Sequence, residues 1–198
     1  MSQSSRYTKT AIILHWLITI GIFFMFALGW FMHEIPRDAP KQMAFDLFDL
    51  GIYTWQLAEE ASPRTFYYNL HKSVGVTLLA LIALRVFWRF THKPPAMLTS
   101  YKVWERKLAT AAHHLLYLLM IAMPLSGLIM AINSKYGIMW FGIDLIKGLD
   151  NKDLREAFKE VHESVGALLL LVIILHIVGA IKHKVIDKDS TMERMSFK

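Results

Sequence analysis

Four apolar stretches, each near the length of a membrane-crossing helix, leave this chain few ways to fold. They run from Ala11 to Met32, Leu70 to Phe90, Thr110 to Ile132 and Val161 to Ile181. About 20 consecutive apolar residues span the ~30 Å hydrocarbon core of a bilayer as an α-helix. An exposed helix of a soluble bundle keeps a polar stripe for water. Ile18 to Met32 and Val165 to Ile181 offer almost none. The stretches therefore predict lipid-facing spans, and only 19% of the residues are charged, against ~25% in a typical soluble domain. The first stretch is longer than the apolar segment of a cleaved secretory signal, and no small-x-small site follows Trp30-Phe-Met-His. It is expected to be retained.

Charge sets the expected orientation. Around the link between the second and third stretches stand Arg85, Arg89, Lys93, Lys102, Arg106 and Lys107, with Glu105 the sole acid. The C-terminal tail adds Lys182, Lys184, Lys188, Arg194 and Lys198, and the N-terminus Arg6 and Lys9. The first of the other two connections carries Asp38, Asp46, Asp49, Glu59 and Glu60. By the positive-inside rule both termini and the middle link are cytoplasmic. The net charge of +6 is then a topology signal. No basic face on a soluble module points to nucleic acid.

Thr91 to Tyr101, with Pro94-Pro95, is an irregular link. In the first outer loop, Gln42 to Glu59 is amphipathic and aromatic, and an interfacial helix is expected there. In the second, Asp153 to Glu160 is expected to be a helical lead-in to the fourth span. The chain has no cysteine, which excludes disulfides, Cys-held iron–sulfur clusters and covalently attached c-type haem.

Against this apolar background the histidines stand out. Two near-identical pentads, His71-Lys-Ser-Val-Gly75 and His162-Glu-Ser-Val-Gly166, lie ninety-one residues apart, each at the N-terminal edge of an apolar run. His176 follows His162 by fourteen residues. Fourteen helical steps return a side chain to within ~40° of its starting face, ~21 Å further along the axis. Antiparallel threading places His71 and His162 in an outer layer. It places His15, His113, His114 and His176 in an inner one. Arg85 stands fourteen residues past His71 and reaches the inner layer from the second span. His15 and His113 are each followed fourteen residues later by a glycine, Gly29 and Gly127, so two helical hairpins share a weak repeat.

Ionisable groups inside a membrane are costly and mark function. Two layers of facing histidines without cysteine suit a haem b in each, held by two imidazoles. One zinc ion cannot serve layers ~20 Å apart. Gly75 and Gly166, one turn past the outer histidines, are expected to make room for a porphyrin. Depth does not choose between His15 and His113 as the partner of His176. His114 points ~100° away from His113. His33 and His92 fall in loops, and His183 lies at the cytoplasmic boundary near the face of His176. Arg85 is placed to pair with haem propionates, and Lys72 to offer a positive charge at the outer surface.

These residues resemble the prokaryotic cytochrome b561 family, related to the cytochrome b subunits of nickel–iron hydrogenases. The resemblance rests on His15-Trp16-Leu17, His71-x-x-x-Gly75 with Arg85, and His113, Tyr117, Pro124 and Gly127. It continues through His162, His176, His183 and the tail Asp187-Lys-Asp-Ser-Thr191 with Arg194-Met195. It implies one all-α domain over residues 1–198, an integral four-helix bundle of the bacterial inner membrane. It further implies that His15 and His176 ligate an inner haem b, and His71 and His162 an outer one. His183, with His113 and Arg85, would border a ubiquinone site. Members resembling this chain oxidise superoxide and reduce ubiquinone, whereas the first outer loop here is longer and more acidic than in the compact superoxide-oxidising ones. The expected function is electron transfer between a periplasmic-side donor, superoxide or a redox protein, and membrane quinone. The alternatives are a relay subunit docking a periplasmic dehydrogenase or hydrogenase and, more remotely, a haem-free transporter.

Overall fold

Each apolar stretch is the middle of one long helix. In the computed structural model, which describes residues 6–97 and 101–197, α1 covers Lys9–Glu34, α2 Pro63–Thr91, α3 Val103–Ile132 and α4 Lys152–Lys182. All four are long and apolar enough to cross a membrane. They start earlier than the apolar runs because polar caps outside those runs set the first turns. The Thr8 hydroxyl accepts from Ala11 N–H at 3.2 Å, Ser62 accepts from Thr65 N–H at 3.2 Å, and Asn151 accepts from Leu154 N–H at 3.1 Å. Each satisfies one amide that a helix start leaves unpaired. α2 ends ahead of Lys93-Pro94, where the proline ring disfavours helical backbone in the residue before it. The expected lead-in from Asp153 to Glu160 is the first part of α4.

The helices pack in chain order, α1 on α2, α2 on α3 and α3 most extensively on α4. The backbones of α1 and α2 make no comparable approach to α4. Leu119, Leu169 and Val172 form the α3–α4 seam. Outside these seams the helices stay apolar: Ile20, Leu118 and Leu175 are 65%, 63% and 60% exposed. An all-α bundle with such a surface is a membrane bundle, since only lipid covers that much apolar area without another chain.

One expectation fails in the outer loops. Gln42–Glu59 is not an interfacial helix: β1 (Gln42–Asp46) and β2 (Thr54–Ala61) pair as an antiparallel hairpin. Phe48, Asp49 and Gly51 adopt φ of 57°, 56° and 69°, a left-handed corner that no helix continues through. Phe45, 2% exposed, stacks on Phe66 at 4.4 Å and sits in one cluster with Leu28, Tyr67 and Leu70. The hairpin thereby fastens the outer ends of α1 and α2.

A second hairpin, β3 (Ile138–Trp140) with β4 (Ile143–Ile146), turns through Phe141 and Gly142, both at positive φ, as a two-residue turn of this hand requires. It is latched to α2 by the first pentad. Lys72 donates to the Gly137 carbonyl at 3.1 Å, Ser73 donates to the Met139 carbonyl at 3.2 Å and accepts from Phe141 N–H at 2.9 Å. A Cβ on Gly148 would stand 1.9 Å from the Ser134 carbonyl oxygen. Gly148→Ala is expected to unseat this hairpin and destabilise the protein by about 1–3 kcal/mol. An unchanged melting midpoint in detergent would contradict the close approach.

The N- and C-terminal segments meet at the opposite end. Tyr7 N–H donates to the Arg194 carbonyl at 3.3 Å, and the Trp16 indole to the Met195 carbonyl at 3.0 Å. Arg194 reaches the Ala96 carbonyl at 2.6 Å. Lys182 bridges Glu105 and Asp187, each at 2.7 Å.

Candidate functional site

The outer layer assembles from α2 and α4. The rings of His71 and His162 lie with centroids 6.3 Å apart and planes at 75°. Two imidazoles bound to one metal at about 2.0–2.1 Å, with roughly 1.1 Å from each nitrogen to its ring centre, would lie about 6.3 Å apart. The pair thus has the spacing of two imidazoles that would hold one metal between them. The backbones of α2 and α4 approach one another far less than those of α3 and α4.

The hydrogen bonds of His162 point the same way. Its Nδ1 lies 3.0 Å from the Met123 carbonyl oxygen and 3.1 Å from the Ser126 hydroxyl. A carbonyl only accepts, so the proton sits on Nδ1 and the Nε2 lone pair is free for a metal. His71 is different: its Nδ1 is buried without a hydrogen-bond partner among the described residues. A Cβ on Gly127 would stand 2.9 Å from His162 Cε1, and one on Gly29 3.9 Å from His71 Cε1. The glycines of the repeat therefore sit against the outer histidines. Those expected to give room, Gly75 and Gly166, instead admit the methyl groups of Met25 and Met123, which their Cβ atoms would meet at 3.6 and 3.1 Å.

The inner layer draws on all four helices. His113 and His176 have ring centroids 5.5 Å apart, and His15 lies within electrostatic reach of Arg85, His176 and His113. Arg85 stands with its guanidinium 5.7 Å from the Tyr117 ring centre, and its Nε is buried without a partner among the described residues. An unpaired guanidinium nitrogen at this depth suits a carboxylate brought in by a cofactor. The tie between His15 and His113 has a structural bearing. α3 and α4 are the most closely packed pair, and 5.5 Å is short for two ligands of one metal. The backbone of α1 makes no comparable approach to α4, although Phe26 of α1 packs against the α3–α4 seam.

Below this layer α4 ends in a π turn, His183–Asp187. His183 Nδ1 lies 2.8 Å from Asp189 and 3.0 Å from Asp187, under the Tyr101 ring at 4.6 Å. Burial alone would raise the Asp189 carboxyl. The Thr191 hydroxyl and amide, with His183, bond its ionised form and hold it below the usual carboxylate range.

The remaining histidines are elsewhere. His33 is exposed beside Glu34, His92 stacks on Trp88 at 3.8 Å, and His114 lines a surface hollow with Arg106 and Thr110. Sequence reasoning missed Ser126 and the Met123 carbonyl. The signal was available: a serine two residues after Pro124, inside an apolar run where the proline interrupts the helical ladder.

Residues 6–198 match the family described as prokaryotic cytochrome b561. The chain is 31% identical over 192 residues to cytochrome b561 homolog 2 of Escherichia coli (strain K12), covering 96% of this chain and 90% of that protein. It is 24% identical over 196 residues to cytochrome b561 homolog 1 of the same strain, 96% and 97% covered. It is 25% identical over 193 residues to a protein of Yersinia pestis named probable superoxide oxidase CybB, 96% and 95% covered.

Proposed function

This chain belongs to the prokaryotic cytochrome b561 family, a family of membrane electron-transfer proteins that bind haem b, and from that premise we propose that it oxidises superoxide at the outer side of the bacterial inner membrane and reduces ubiquinone. The observation that carries the reading is the His71–His162 pair, 6.3 Å apart on two helices whose backbones make no approach comparable to that of α3 on α4. In this reading His71 and His162 hold an outer haem b, and His15 and His176 an inner one. Haem b bound at these pairs would supply reversible one-electron chemistry.

The protein's own part is binding, orientation and charge. Met123 and Ser126 fix the tautomer of His162, Gly127 and Gly29 clear space beside the outer rings, and Arg85 pairs with a propionate. Lys72, next to His71 and tied to the Gly137 carbonyl, anchors the second hairpin beside the outer pair. Two superoxide ions release two electrons as they become oxygen, and ubiquinone takes these with two protons. His183, beside Asp187 and Asp189 at the cytoplasmic end given by the charge distribution, is placed to bond and protonate the quinone, with His113 and Arg85 bordering it. The relation to the Yersinia protein supports the choice of donor.

The test is the visible spectrum of the purified, oxidised protein while superoxide is generated enzymatically. A reduced b-type band should rise, and should decay when ubiquinone is added. A band that forms only with dithionite would contradict the superoxide reaction. It would favour a relay subunit whose folded outer hairpin, with exposed Glu59 and Glu60, docks a periplasmic dehydrogenase.

A further inference from the structure

We infer that Ser126 is a positioning residue that makes the two outer ring ligands chemically unequal, by adding a second acceptor to the Nδ1–H of His162 while His71 has none. The inference rests on the reading that His162 ligates the outer haem. Ser126 is 4% exposed, one of few buried hydroxyls in the bundle, and it does not lie on the helix that carries the histidine. Its Oγ is 2.8 Å from the Met123 carbonyl and 3.1 Å from His162 Nδ1. That same carbonyl is 3.0 Å from Nδ1. Only one assignment satisfies all three contacts. The carbonyl accepts from both, so Ser126 donates to it, and the lone pairs of Ser126 then face the imidazole N–H. A hydroxyl that donates is a stronger acceptor, and the three groups polarise one another.

The consequence follows from ligand chemistry. Bonding the far N–H of an imidazole raises its basicity as a ligand. A more basic ligand favours the ferric over the ferrous state, which lowers the reduction potential. His71, whose buried Nδ1 has no partner among the described residues, lacks this influence. The Gly127 position keeps this geometry open, because a Cβ there would meet His162 Cε1 at 2.9 Å and push the ring off its two acceptors. Ser126 thus tunes one haem from an adjacent helix, without touching iron or substrate.

The experiment is a potentiometric titration of the purified full chain, haem content measured in parallel, for the unaltered protein and for Ser126→Ala, Ser126→Cys and Ser126→Thr. The inference predicts that one of two haem potentials moves upward in Ala and Cys, whose side chains are absent or poor acceptors, and stays put in Thr. The other potential should not move in any of them. Loss of one haem in Ala or Cys with retention in Thr would also support it. Two haems at unchanged potentials in Ala and Cys, or loss of a haem in Thr as well, would overturn the role of the hydroxyl and leave the haem reading standing. An unaltered protein that binds no haem would overturn both.

Discussion

Alanine at His71 or at His162 is expected to remove one haem per chain and leave the other spectrally intact, and alanine at His176 to remove the other one. The two layers are separated by fourteen residues of α4, about 21 Å along the axis. A lost ligand in one layer therefore leaves the other layer's helix seams untouched. The inner layer allows a sharper contrast. α3 and α4 are the most closely packed pair and the His113 and His176 rings stand 5.5 Å apart, short for two ligands of one metal, so His15→Ala is expected to abolish the inner haem while His113→Ala retains it. Haem content and low-temperature absorption of the variants read this out. An inner haem that survives His15→Ala and vanishes in His113→Ala would reverse the assignment. Both haems intact in His71→Ala and His162→Ala would end the ligand scheme.

Valine at Gly127 should have nearly the effect of removing His162. Even a single Cβ would come within 2.9 Å of His162 Cε1, and the ring cannot retreat freely, because Nδ1 is held by Met123 and Ser126. Overpacking of this kind costs about 1–3 kcal/mol, which weakens haem retention about 5- to 150-fold. Valine adds two further methyl groups and belongs at the upper end. Gly29→Val is expected to be milder, since its Cβ would clear His71 Cε1 by 3.9 Å. Haem-to-protein ratios after detergent washing compare the two. Equal, full occupancy in Gly127→Val would contradict the cradle.

What the sequence made legible was the part written in hydrophobicity and spacing. Span existence follows from apolar length, and α4 indeed carries His162 and His176 on one unbroken helix. His71 and His162 do face one another, as the pentads implied. The outer hairpins were not legible. Phe45, Phe48, Tyr53 and Trp55 suggest a helical face when counted around a wheel. The left-handed corner at Phe48, Asp49 and Gly51 is local turn chemistry that such counting does not register. The two pentads also suggested an equivalence that tertiary structure removes. Ser73 is buried and latches β3, whereas Ser164 is exposed. Likewise, Gly29 and Gly127, which stand beside the His71 and His162 rings, lie on the neighbouring helices and so are invisible to any reading along one span. Ser126 escaped for the same reason: its partner is thirty-six residues away.

If two layers of histidines each hold a haem b, the haem-to-protein ratio of the purified full chain, from the alkaline pyridine spectrum set against amino-acid analysis, is expected to be two b-type haems per chain. A ratio of one would contradict the two-layer assignment, and a ratio of zero would contradict the reading of the site altogether.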